Sequence, residues 1–289
     1  KKEVVRYSQE FLGLRDAIME RALDLAYCLW PMICPPVPWS NEERGGFLTE
    51  DIRQTGPMVR GSGFEGPLKQ GTLPIQFLNN LQEQKYRINN SVLDVANWAY
   101  KNYRTIGKFV REEHQDPPPN PRGDATEEEV KEYKRARRKI EDRNAQIHQK
   151  NYRTSDVMFT ANLYKDEPVW WIAWSFDSRG RVYPLLTSLN PQGTDVDKAL
   201  IYFVDEGPVD EYWLAWHVAT TGGQDKASHD DRVKWTRDRL DLIEAIATNP
   251  YSNRQWMDAD EPWSHLAACI EYHACCIAKT KTTSGLPIG

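Results

Sequence analysis

An apolar run, Pro168-Val169-Trp170-Trp171-Ile172-Ala173-Trp174, leads straight into Ser175-Phe176-Asp177-Ser178-Arg179-Gly180-Arg181. No other feature constrains the fold of this chain as much. A short apolar run bounded by turn residues reads as a buried strand. The turn it feeds holds one acid, two arginines and a glycine. Gly180 lets the backbone turn tightly or lie close to a ligand. Arg179 and Arg181 offer forked donors that match phosphate. Asp177 can hold one of those arginines in place. A second strand, Val182 to Leu186, leads away to another turn at Asn190-Pro191-Gln192-Gly193. The arrangement suits a grip on a polyanionic backbone.

The 289 residues allow one large domain or two to three smaller ones. With 40% hydrophobic and 27% charged residues the chain reads as globular. No apolar run approaches the roughly 18 residues of a membrane span, and no secretory signal opens the chain, so the reading is cytoplasmic with no membrane partner. The net charge of −5 does not advertise nucleic acid. Local charge steers a strand more than the total does, however. Lys131 to Arg153 holds nine Lys/Arg against three Asp/Glu, a surplus of six. Five cysteines, an odd number, favour free thiols in a reducing compartment. Cys269, His273, Cys275 and Cys276 raise the question of zinc. They lack Cys-x-x-Cys spacing, so a buried helix is the preferred reading and no metal is assigned to this chain's own residues.

Apolar spacing at Phe11, Leu14, Ile18, Leu25 and Leu29 predicts a helix over 1–30, stopped by Pro31, with an extended segment to Trp39. Gly45 to Gly71 reads as a long surface loop. A helix is expected from about 74 to 110, with a possible break near 87–91. Pro117-Pro118-Pro119 and Pro121 form the clearest boundary. Thr126 followed by Glu129 has the form of a capping box. The helix it opens is expected to run to about Gln149, roughly 35 Å at 1.5 Å per residue. Val130, Tyr133, Arg137, Ile140, Asn144 and Ile147 give it a thin seam, so it should project from the body. Further on, an amphipathic segment is expected over 196–204 and helices over 212–219, 232–247 and 262–279, the last internal. The fold class is α+β, predominantly helical.

These residues carry a resemblance. Asp177-x-x-Gly180-Arg181 before Val182-Tyr183, then Asn190-Pro191-Gln192-Gly193, resembles the bacteriophage-type single-subunit DNA-dependent RNA polymerases. Trp30-Pro31-Met32 with Pro35-Pro36-Val37-Pro38-Trp39 is similar to that family's Pro-Met-Val-x-Pro-Pro-x-Pro-Trp. Tyr86-Arg87-Ile88-Asn89 resembles its Trp-Lys-Ile-Asn, Gly223-Gln224-Asp225-Lys226 its Gly-Val-Asp-Lys, and Cys269-Ile270-Glu271-Tyr272 its Cys-Phe-Glu-Tyr. They occur in the family's order, over roughly 20–289. Ser284-Gly285-Leu286-Pro287-Ile288-Gly289 resembles Ser-Leu-Pro-x-x-Phe-Asp-Gly, whose Asp is a metal-binding carboxylate. The chain starts at Lys1 without Met and stops short of that Asp. It is therefore expected to be an internal piece of a larger polymerase, inactive alone because the family's catalytic Asp, Lys and Tyr are absent.

The resemblance implies a partial right-handed polymerase fold. Residues 1–116 would end the amino-terminal domain, 117–165 would form the helical thumb, and 166–289 the first half of the palm. The partners implied are DNA template and promoter, RNA transcript, NTPs and the remaining fingers and palm. Magnesium would be bound by carboxylates outside this chain. Arg181 is implied to contact the RNA–DNA hybrid, with Arg179 in support; Tyr183 either packs on sugar or base or is a buried core tyrosine. Asn190 and Gln192 either present amides to the template or simply make the turn. Asp177 and Gly180 are read as structural. Lys226, supported by Asp225, would sit near the triphosphate of the incoming nucleotide. Arg137, Arg138, Arg143, Lys150 and Arg153 are candidates for thumb phosphate contacts. The competing readings are a DNA polymerase of the same superfamily, which carries Thr where Asp177 stands, a non-catalytic nucleic-acid-binding module, and a carbohydrate-active protein. The last draws on 11 Trp, 13 Tyr and carboxylates such as Asp258, Asp260 and Glu261.

Overall fold

The computed structural model describes residues 29–50, 56–60, 69–121, 123 and 125–288. The helix expected over 1–30 lies almost wholly outside them. The described chain is mainly helical, with three small sheets, which agrees with the expected α+β class.

The central sheet has the order β1 (Val59–Arg60), β3 (Trp174–Asp177), β4 (Val182–Pro184). β1 runs parallel to β3, and β3 and β4 form an antiparallel hairpin. The strand thus begins where the apolar run was expected to end. Trp170 and Trp171 form only single bridges, to Tyr86 and Met32, while Trp170, Ile172 and Ala173 are fully buried. Burial makes that run apolar; the ladder starts where Phe176 and Asp177 find Val59 and Arg60. Of the segment expected as a surface loop over 45–71, residues 51–55 and 61–68 lie outside the described residues; in the described part the structure differs, because Gly46 and Phe47 are buried and β1 adds a strand to the sheet.

Trp39 shows why the proline segment is fixed. Its indole N–H donates to Gln82 Oε1 at 3.1 Å and to the Trp174 carbonyl at 2.9 Å. Its backbone exchanges two hydrogen bonds with Asn79. Gln82 and Asn79 lie on α1 (Thr72–Glu83), so the extended segment, the helix and β3 share one polar joint. At 2% exposed, Trp39 packs inside the protein.

The long helix expected over 74–110 is three elements: α1, β2 (Tyr86–Ile88) and α2 (Asn90–Lys101). Tyr86, Arg87 and Ile88 pair antiparallel with Phe203, Tyr202 and Ile201 of β5 (Ile201–Phe203). Alternating burial along β2, with Tyr86 and Ile88 inside and Arg87 outside, marks a strand.

α3 (Glu127–Tyr164) starts as expected: the Thr126 amide donates to Glu129 Oε2 at 2.7 Å and the Glu129 amide to Thr126 Oγ1 at 3.3 Å. Hydrogen bonds from the Thr126 amide and hydroxyl hold the Glu129 carboxyl below its ordinary range. The helix runs 38 residues, roughly 57 Å at 1.5 Å per residue, and does not stop at 149. Its second half buries Thr154, Val157, Met158, Thr160, Ala161 and Tyr164, at the spacing of one helix face. Its first half contributes half-buried Val130, Tyr133, Ala136, Ile140 and Asn144; Arg137 is exposed, and Ala136 takes its expected place in the seam.

The remaining elements are α4 (Asp195–Ala199), β6 (Gly207–Pro208), α5 (Glu211–Ala219), α6 (His229–Arg237), α7 (Leu240–Thr248), α8 (Pro262–Tyr272) and β7 (Thr283–Ser284). The amphipathic stretch over 196–204 divides into most of α4 and β5. The helix expected over 232–247 breaks at Asp238–Arg239, where Arg239 leaves helical geometry and donates to the Trp235 carbonyl at 3.0 Å. α8 is internal: residues 262–269 are all buried. Asp195 caps it from another element, accepting the amides of Trp263 and Ser264 at 2.7 and 3.0 Å.

Candidate nucleic-acid interface

The β3–β4 hairpin turns through Gly180 at φ 81°, a left-handed conformation that favours glycine. Asp177 organises the turn. Its Oδ1 accepts the amides of Arg179 and Arg181 at 2.8 and 2.9 Å. Its Oδ2 accepts Arg179 Nε and Nη2 at 3.1 and 3.0 Å and the Tyr183 hydroxyl at 3.3 Å. The Arg181 amide, then the Arg179 amide and guanidinium, bring its carboxyl down to about 2. Arg179 is thereby committed to Asp177, whereas the exposed Arg181 side chain has no hydrogen-bond or ion-pair partner among the described residues. Tyr183 is half-buried, its hydroxyl tied to the acid. Arg60, the register partner of Asp177 on β1, donates to the Pro184 carbonyl at 3.4 Å. Nothing in the sequence near the hairpin pointed to it.

The second turn is joined to the first. Gln192 Nε2 donates to the Val182 carbonyl at 2.9 Å, and Asn190 Oδ1 accepts the Gln192 amide at 2.8 Å. Arg181, Tyr183, Asn190 and Gln192 therefore belong to one surface. Each turn amide has one atom engaged in making the turn.

Asp225 and Lys226 lie on a separate loop, both exposed. Arg232 of α6 clamps that loop: Nε donates to the Ala227 carbonyl at 3.0 Å, Nη1 to Thr220 Oγ1 at 3.1 Å, and Nη2 to the Asp225 carbonyl. Its guanidinium carbon sits 4.9 Å from the Trp216 ring centroid. From the other side His265 Nδ1 donates to the Val218 carbonyl at 3.0 Å and lies 3.3 Å from Thr221 Oγ1. Burial lowers the His265 pKa to about 4, which keeps the ring neutral. Gly223 takes φ 98°, and a Cβ on Gly222 would stand 3.1 Å from both His265 and Trp235. The glycine pair was visible in the sequence; Arg232 and His265, its supports, were not.

Along α3, Arg137 pairs with Glu141 at 2.7 Å and Arg143 with Glu112 at 3.8 Å. Arg138, Lys150 and Arg153 are exposed, with no ion pair among the described residues. No hydrogen bond or ring contact among the described residues joins the hairpin, the Lys226 loop and these cations to one another.

The thiols and histidine weighed for zinc do not gather. Cys269 is buried against His265 Nε2 at 3.6 Å, while His273, Cys275 and Cys276 are half-buried beyond it. Among the described residues no three His, Cys, Asp or Glu side chains form a metal-binding group. Magnesium finds no fit at Asp177, both of whose oxygens already accept hydrogen bonds.

The family model for DNA-dependent RNA polymerase matches residues 205–289. The DNA-directed RNA polymerase of Enterobacteria phage T3 is 29% identical over 283 residues, covering 93% of this chain and 31% of the relative. Over most of its length this chain is similar to the phage-type single-subunit RNA polymerases. The chloroplastic DNA-directed RNA polymerase 3 of Nicotiana sylvestris is 30% identical over 255 residues, 83% of this chain and 25% of the relative. T7 RNA polymerase of Escherichia phage T7 is 28% identical over 253 residues, 84% and 28%. The chain thus spans about a third or less of the length of these curated relatives. Similarity across most of the chain displaces the carbohydrate reading. Consistent with that, Glu261 is paired with Lys198 at 2.7 Å, and Trp39, Trp170, Trp174, Trp256 and Trp263 are core residues. No helix among the described residues is long and apolar enough to cross a membrane.

Proposed function

We propose that this chain forms part of a DNA-directed RNA polymerase that makes RNA from NTPs on a DNA template by two-metal nucleotidyl transfer. In this reading residues 1–116 end the amino-terminal domain, 117–165 form the thumb and 166–289 open the palm. The second half of α3, packed into the core, is the thumb's root. Arg181 holds the RNA–DNA hybrid, with Tyr183 beside it and Asn190 and Gln192 offering their remaining amide atoms to the template. Lys226, on a loop braced by Arg232 and His265, sits near the triphosphate of the incoming nucleotide, where a cation offsets charge on the leaving pyrophosphate. Arg138, Lys150 and Arg153, with Arg137 and Arg143 if their acids release them, contact backbone phosphates. Promoter DNA, transcript, NTPs and the rest of the polymerase are the partners. The magnesium ions are assigned to carboxylates outside these residues, and the host cytoplasm is the place of action.

One observation carries the reading: both Asp177 oxygens already accept other donors, and the neighbouring exposed Arg181 guanidinium has no partner among the described residues. A surface arginine with a purely structural role would take that carboxylate. The test is Arg181→Ala in the full polymerase. Elongation on an assembled RNA–DNA scaffold should fall about 10- to 100-fold, the roughly 1.5–3 kcal/mol of a hydrogen bond to a charged group, with promoter affinity nearly unchanged. Equal losses in both, or none, would count against the role.

A further inference from the structure

A second cationic feature lies where the end of α2 meets the short turn Arg254–Asp258. Trp98, in the last turn of α2, has the Arg254 guanidinium carbon 5.4 Å and that of Arg104 6.0 Å from its ring centroid. Tyr251 stands edge-on to the same indole at 5.5 Å. Arg254 is further fixed by Nε donating to the Tyr251 carbonyl at 2.7 Å. Lys101 follows Trp98 by one helical turn, and Lys108 lies in the turn between Ile106 and Phe109. All four cations are exposed, and none has an ion pair among the described residues. The stretch 97–111 contains four Lys/Arg and no Asp/Glu.

Two guanidiniums within reach of one ring repel each other, and no carboxylate among the described residues pairs with either. Stacking on an indole compensates in part. It also restricts each exposed guanidinium before any ligand arrives, and the planar fork of a guanidinium matches phosphate oxygens. With two cations and Tyr251 against it, the indole supports charge and does not serve as an open platform for a base. The feature therefore suits a polyanion read by its backbone. We propose that Arg104 and Arg254, held against Trp98 with Lys101 and Lys108 beside them, form a second, sequence-independent contact for nucleic-acid phosphates. It rests on the reading that the chain works on nucleic acid, and it does not depend on the role given to Arg181.

The test titrates the full chain against a short labelled DNA duplex and an RNA–DNA hybrid at several salt concentrations. In R104Q/R254Q the affinity for both probes should fall about tenfold, and the slope of log K against log salt should shrink by about 2. Arg181→Ala should weaken hybrid binding while leaving the slope on the DNA duplex unchanged. An unchanged slope in R104Q/R254Q, with a wild-type melting profile, overturns the proposal. If that variant fails to fold, K101Q/K108Q, at exposed positions with no cation–ring contact among the described residues, decides in its place: a reduced slope supports the contact and an unchanged one overturns it. Loss on the patch with no effect of Arg181→Ala would keep the contact and remove the hairpin reading. A wild-type chain that binds neither probe overturns both.

Discussion

Asn144 and Gln115 exchange two hydrogen bonds: the Gln115 amide donates to Asn144 Oδ1 at 2.9 Å, and Asn144 Nδ2 donates to the Gln115 carbonyl at 2.8 Å. Asn151 repeats the arrangement with the backbone of Glu112 at 3.1 and 2.7 Å, and Thr154 Oγ1 accepts the Val110 amide at 3.0 Å. The two asparagines are seven residues apart on α3, about 10.5 Å, and the backbone positions they meet are three residues apart in an extended strap, about 10 Å. The registers match, so a helix reads an extended chain as a neighbouring strand would.

Replacing Asn151 with Ala should therefore cost about 1–3 kcal/mol, since it strands a half-buried amide and carbonyl. Asn144→Ala, at a more open position, should cost less. Denaturant melts measure the difference. Amide exchange at Glu112 and Gln115 should accelerate in the matching variant and not in the other; equal acceleration at both would mean the strap is held by something else.

The Asp177 carboxyl should titrate at about 2. Because its pKa is depressed in the folded chain, its contribution to stability is complete above the ordinary 3.8 and is lost as pH falls toward 2. Arg179→Ala should raise that pKa without restoring 3.8, because both backbone amides remain. Arg181→Ala should leave it where it is. Carboxyl NMR titration of the three proteins reads this directly, and a shift in Arg181→Ala would break the division of labour between the two arginines.

His265 gives a dependence in a different window. Burial lowers its folded pKa from 6.5 to about 4, so the unfolded chain binds the extra proton between those values. Stability should be complete above about 6.5 and fall by on the order of 3 kcal/mol as pH drops to about 4. Urea melts at intervals across that range should show the slope, and His265→Gln should flatten it. A slope that survives the substitution would assign the effect to another group.

Local rules made part of this protein legible. The capping box at Thr126 and Glu129, the tight turn at Gly180 and the start of a buried helix at Pro262 are each dictated by a few neighbouring residues, and each is found; that helix ends at Tyr272, short of the expected 279. The charged first half of α3 hides its full length, because its apolar seam is thin. Thr154, Val157, Met158, Ala161 and Tyr164 continue the helical period with a different purpose, burial in the core. The loop expected over 45–71 hides β1, whose strand character comes from pairing with Phe176 and Asp177 and from no local preference.

The order of the motifs and the chemistry of their side chains were determined by the sequence itself, because periodicity, turn residues and spacing act over a few positions. Which arginine stays free was decided only by tertiary structure. Arg179 and Arg181 are equivalent in composition and nearly so in position, but one turn geometry gives Asp177 to the first and leaves the second to solvent. The same holds for His265, 44 residues from the Thr221 hydroxyl it meets: hydrogen bonds act over about 3 Å in space, and the number of residues between the partners does not enter.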